Sequence, residues 1–208
     1  MDSRQAATWL SGPRFRPFLD AANGDHEAAM ALYVWHAELA VACFGVVGHF
    51  EVMLRNAIDG TLGDGQPQEP LKDTWLMDFD TLQPGGIKQV IVAVERLDKG
   101  ARITRARVVA GVPFGFWAGL FGRPYDELWR ERLYKVFPHG PGRRKDLPPR
   151  MLRIRLFRNR LAHHDSILGQ DVSAVHEDML TLAGWIDPSA RSWLEERSNV
   201  LATIVGRP

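Results

Sequence analysis

Arg158, Asn159 and His163 stand within six residues of one another in the run Arg158-Asn159-Arg160-Leu161-Ala162-His163-His164. A helix turns about 100° and rises about 1.5 Å per residue, so Asn159 and His163 fall one turn apart on one face, their Cβ atoms about 5 to 6 Å apart. They can share one small ligand. Arg158 leaves the helix about 140° round from His163 and about 7.5 Å along it, close enough for a long side chain to swing into the same pocket. Arg155 precedes Asn159 by one turn on the same stripe. Cleavage of RNA through its own 2′-hydroxyl needs a base near neutral pKa, a cation to hold the phosphate as charge builds, and a group that orients either one. Histidine, arginine and asparagine meet those needs in that order. A transition metal fits less well, because Asn and Arg are poor ligands and no carboxylate stands one turn before His163. The adjacent His164 and Asp165 suggest a metal phosphohydrolase as a rival. Its further ligands would have to come from His36, His49, His139 or His176, none of which sits in a supporting motif.

Helices must position these groups. Pro148 and Pro149 suit the first turn of a helix, where a missing amide hydrogen costs nothing, and the pattern predicts that it runs to about His164, with Asp165-Ser166 ending it. From His26 to about Leu62 apolar residues recur every three or four positions, predicting one long helix or two joined near Gly45 and Gly48, with Asn23-Gly24-Asp25 as turn and N-cap. Gly63 to Pro70 reads as a loop, residues 86–110 as helix with a break at Lys99-Gly100, and Phe114–Phe121 and Tyr125–Phe137 as short helices. Val172–Ile186 and Ser189–Val205 follow as two more, separated by Asp187-Pro188. No strand pattern competes, and the class is all-α, a helical bundle in one domain over 1–208 with 1–22 as an N-terminal extension.

Composition narrows the class further. Of 208 residues, 45% are hydrophobic and 25% charged, which fits a folded globular chain and excludes wholesale disorder. The single cysteine, Cys43, lies in an apolar run, so the chain forms no internal disulfide and a reducing compartment is expected. No signal-peptide pattern is visible in Met1–Pro17, and the most apolar window, Ala37–Val47, is shorter than the roughly 20 residues that span a bilayer. A cytoplasmic protein that does not engage membranes is the expectation. His36 and His49 read as packed or hydrogen-bonded in the long helix, and Trp75, Phe114, Phe116, Trp117, Phe121, Trp129 and Trp185 as core rather than as platforms that stack on bases. The net charge is +1, yet residues 102–160 hold 15 Lys/Arg against 4 Asp/Glu, while the flanks are acidic. Two readings stand: a phosphate-binding surface, or arginines on solvated faces neutralised by acids from the flanks. The basic loop at Arg143, Arg144 and Lys145 is likewise either an RNA clamp or plain surface.

The run Arg158 to His163 resembles the Arg-polar-x-x-x-His signature of HEPN-domain ribonucleases, and more narrowly the Arg-Asn…Ala-His-His run of the Abi-like (abortive infection) proteins of bacteria. Glu51-Val-Met-Leu-Arg55-Asn56 resembles the Glu-x-x-x-Arg-Asn helix of the same proteins, and Pro113-Phe-Gly-Phe-Trp117 with Leu128-Trp-Arg130 their aromatic middle. The three segments occur in the family's order and cover most of the chain. The resemblance implies a HEPN-like bundle with additional helices. It further implies a homodimer that brings two motifs to one cleft, and an RNA endonuclease that needs neither metal nor cofactor, in antiphage or toxin-type defence. It makes His163 the acid or base, Arg158 the phosphate-stabilising cation and Asn159 the positioning group, and leaves a 2′,3′-cyclic phosphate. It places Glu51, Arg55 and Asn56 near the cleft, where a structural ion pair or cap is the equal alternative. His164 is either a helper or a residue suited to a helix C-terminus. The rival outside enzymes is a non-catalytic helical module that binds RNA or a protein; the residues name no regulatory partner.

Overall fold

The computed structural model describes residues 5, 8–98, 100 and 102–208. Among them the secondary structure is helical throughout, with ten α-helices joined by turns and short 3₁₀ segments. The centre is α2 (His26–Leu62), a single unbroken helix that passes straight through Gly45 and Gly48. Asp25 begins it by accepting the Glu27 and Ala28 amides at 2.8 and 3.1 Å, after Asn23 and Gly24 have turned the chain at positive φ. Its buried stripe, Leu39, Cys43, Val46, Phe50, Leu54 and Ile58, steps by three and four residues. Each such side chain contributes about 1.5 to 3 kcal/mol by leaving water. Burial pushes the Cys43 thiol up to about 12, so it is packing and no nucleophile. By length and composition alone α2 is apolar enough to cross a membrane; in the fold its buried stripe is the floor of the core.

The helices that pack on α2 include α1 (Gly12–Ala21), α7 (Leu147–Ala162), α8 (Val172–Ile186), α9 (Pro188–Glu196) and α10 (Val200–Val205). The end of α2 is closed by arginines, which suit the negative pole of a helix. Arg105 donates to Gly63 O at 2.9 Å and pairs with Asp59, and Arg132 donates to the Thr61 and Leu62 carbonyls. Between α2 and α7 lie α3 (Pro84–Glu95), α4 (Arg105–Gly111), α5 (Phe114–Gly119) and α6 (Asp126–Glu131). Trp75, Phe114, Phe116, Trp117, Phe121 and Trp129 are buried there and Trp185 is half-buried, as their helical spacing predicts.

Three predicted helices are shorter than their patterns. Residues 86–110 form α3 and α4 around an irregular stretch, with Gly100 at φ +85° and the Arg105 amide drawn to Gln68 O; Lys99 lies outside the described residues, as do Asp2 and Arg4. Tyr125–Phe137 is α6 followed by a 3₁₀ turn, because Arg132 bends out to cap α2. Ser189–Val205 is two helices, α9 and α10. Ser198 bonds the His176 ring at 2.7 Å and the Val200 amide at 3.3 Å, local bonds that compete with the helical ladder. The segment expected as an extension contains α1, whose Phe15 and Phe18 are in the core.

Candidate functional site

The sequence places its strongest motif at the last turns of α7. The Pro-Pro start, an apolar stripe of Leu147, Met151, Ile154, Phe157 and Leu161, and a C-terminal Schellman-type turn fix that helix on the core. His163 is the C-cap, its amide donating to Asn159 O at 3.0 Å. His164 donates to Leu161 O and Asp165 to Arg160 O at 3.1 and 2.9 Å, the two bonds that define this turn. Glycine is the usual residue at its left-handed position; here His164 occupies it at φ +54°. A non-glycine residue there costs on the order of 1 kcal/mol.

The core side of α7 fixes where its polar groups go. Leu152, Leu156, Asn159, Arg160 and His163 are exposed on the outward side, so the Asn159–His163 pair predicted one turn apart is solvent-open. Arg158 leaves by the flank that faces α2. Its Nε lies 3.8 Å from Glu51 Oε2, with Arg158 32% and Glu51 19% exposed. Burial pushes the Glu51 carboxyl above its ordinary range, opposed by the positive charges of Arg158 and Arg55. Arg55, one turn after Glu51, reaches Ala110 O at 3.5 Å and keeps a buried Nε with no hydrogen-bond partner among the described residues. Glu51 therefore stands between two guanidinium groups from two helices. Asn56 is exposed further along α2, and Arg155 is half-buried on α7 between the two stripes.

Not every predicted group joins this cluster. No side-chain bond links His163 to Arg158 or Asn159 among the described residues. In the basic loop, Arg144 is a fastening: it pairs with Asp126 at 2.8 Å and donates to Gly122 O at 2.6 Å. Arg143 pairs with Asp146 at 3.1 Å, and Lys145 is exposed. His36 is buried, and its Nε2 accepts the Ile167 amide at 3.0 Å; burial lowers its pKa, which keeps the ring an acceptor. His49 is exposed and meets the Trp193 ring edge-on. Among the described residues no three His, Cys, Asp or Glu side chains gather as a metal site.

A cavity of about 700 Å³ opens between α1, α2 and the turn after α7, bordered by Arg14, His36 and His164. Its α1 wall is not legible in the sequence, because Pro13 and Pro17 obscure the helical spacing of Phe15 and Phe18. Comparison with family models, curated proteins and solved structures finds no match for this chain.

Proposed function

We propose that this chain is a metal-independent RNA endonuclease of the HEPN type, cytoplasmic, acting in antiphage or toxin-type defence as a homodimer. The observation that carries the reading is the end of α7: an imidazole and a carboxamide open to solvent on one stripe, with an arginine on the flank toward α2 paired with a half-buried carboxylate. In the proposed reaction His163 takes the proton of a ribose 2′-hydroxyl. The 2′-oxygen attacks the adjacent phosphorus, the bond to the 5′-oxygen breaks, and a protonated imidazole returns a proton to that leaving oxygen. The products are a 2′,3′-cyclic phosphate and a 5′-hydroxyl. Arg158 offsets the charge on the phosphorane oxygens, and Asn159 orients the phosphate or the ring. Because Arg158 and His163 leave one helix on different sides, pairing two copies lets the imidazole of one face the guanidinium of the other.

The expected outcome is cleavage of RNA by purified protein in EDTA, ending in cyclic phosphate, and its loss in His163→Ala. At an exposed C-cap that substitution leaves the thermal midpoint within about a degree or two, an effect of under 0.5 kcal/mol. The second reading is a non-catalytic binding module, and the outward apolar side chains Val41, Phe44 and Val52 of α2 with Leu152 and Leu156 of α7 favour it. RNA bound tightly but left whole by the unmutated protein would establish the module instead.

A further inference from the structure

The cavity at the end of α7 has the chemistry of a nucleotide site. Its walls carry aromatic rings from separate elements: Trp9 from the segment before α1, Phe18 from α1, and Tyr33 and Phe44 from α2. Its volume of about 700 Å³ lies within the range of small-molecule sites. Rings from more than one element can stack a flat heterocycle, and such stacking tolerates any base. One rim is polar, formed by Arg14, His164, Asp165 and Ser166. Arg14 is exposed and makes no ion pair among the described residues; its Nη1 lies 3.5 Å from His164 O. A carboxylate and a hydroxyl suit the polar edge of a base, while Arg14 suits a phosphate. An acyl chain with a carboxylate head would use Arg14 but leave Ser166 without a polar partner.

His164 supplies a second, independent observation. The turn asks for glycine, and a histidine is held there at φ +54° with its side chain on the cavity rim. A residue kept in a strained backbone state points to work done by the side chain. The turn itself is anchored, since the Ile167 amide is bonded to His36 on α2.

We infer that this cavity binds a nucleotide, its base stacked among the aromatic rings and its phosphate at Arg14 and His164, as either a free nucleotide or one unpaired residue of RNA. The cavity thereby adjoins the cleavage centre and would set its base preference; this last step rests on the nuclease reading, and the binding itself does not.

The test titrates AMP, GMP, CMP and UMP into the full chain and follows tryptophan fluorescence and calorimetric heat. At least one is expected to bind, with affinity falling about tenfold in Trp9→Ala, the loss of one stacking partner, and disappearing in Ala37→Trp, which fills the exposed mouth. His164→Gly raises the thermal midpoint by relieving the backbone yet weakens binding, a combination that a purely structural histidine does not give. Excess mononucleotide that competes with a short oligoribonucleotide identifies an RNA residue as occupant; binding without competition identifies the free nucleotide. If none of the four binds, if Ala37→Trp binds as well as the parent, or if only dodecanoate binds, the inference is overturned. Cleavage without mononucleotide binding sinks the cavity alone, and mononucleotide binding without cleavage sinks the nuclease alone.

Discussion

Glu51 is a half-buried carboxyl that faces Arg158 of another helix, and its titration follows from that position. Its carboxyl is 19% exposed, and burial raises its pKa above the ordinary 4.5 although Arg158 and Arg55 pull it down. The folded state therefore binds a proton more readily than the unfolded one. A raised pKa means that this group's stabilising contribution is complete below 4.5 and is lost as pH rises through the folded value. At neutral pH the ionised carboxylate is thus a net cost to folding, and it faces the Arg158 guanidinium on the flank between α2 and α7. Glu51→Gln, which imitates the protonated form, is expected to be at least as stable as the parent in urea at pH 7. The same variant is expected to cut RNA about tenfold more slowly, because its neutral amide holds the guanidinium less firmly. A variant that loses stability and keeps full activity contradicts both halves. The family resemblance puts Glu51 either near the cleft or, equally, in a structural ion pair; its position facing Arg158 is not readable from the sequence, since the pairing partner lies more than a hundred residues away.

At the level of elements, what could be read depended on how local the cause was. Helices set by their own apolar period and caps, α2 and α8 among them, match their patterns: Val172–Ile186 is α8 to the residue, with Asp171 accepting the Ala174 amide at 2.9 Å. Breaks caused by distant partners were invisible, such as Arg132 leaving its helix for the α2 carbonyls and Ser198 turning to His176. The tie between α2 and the turn after α7 is of this second kind, and it titrates. Burial lowers the pKa of His36 from 6.5, with no charged group opposing it; burial also lowers His176, where Glu177 and Glu195 oppose and Arg191 assists. Folded pKa values below the unfolded value make stability full above about pH 6.5 and lost as pH falls toward the folded values. The urea midpoint is expected to drop between pH 7.5 and 5.5, and the drop to shrink in His36→Gln, whose amide oxygen accepts the Ile167 amide without titrating. An equal drop in parent and variant would assign the pH dependence elsewhere.

Across the whole molecule, the basic middle of the chain largely spends itself on the fold. Arg102 pairs with Glu69, Arg105 with Asp59, Arg144 with Asp126, Arg150 and Arg153 with the buried Asp178, and Arg158 with Glu51. Most of these acids come from the flanks, which is why a count along the sequence overstates the free charge. Under the proposed nuclease reading, RNA would be held less by a broad cationic surface than by a small cleft, which pairing of two chains would complete. Val41 is 74% and Leu156 53% exposed. They and Phe44, Val52 and Leu152 lie on neighbouring outward stripes, because α2 and α7 meet along the flank where Glu51 faces Arg158. Apolar side chains gathered in this way mark interaction surfaces more often than bare monomer surface. Self-association through this face sets the two His163 residues on the same side as the contact. The parent is expected to sediment at twice the chain mass, and Leu156→Asp at the chain mass, since burying an unpaired carboxylate in such a contact is prohibitive. At 53% exposure Leu156 has little to lose in the monomer, so helicity and urea midpoint stay near those of the parent. Cleavage in Leu156→Asp should fall with the dimer. A monomeric Leu156→Asp that cuts at the parent rate would mean that each chain carries a complete site, with Arg158 swinging round to His163 on its own helix.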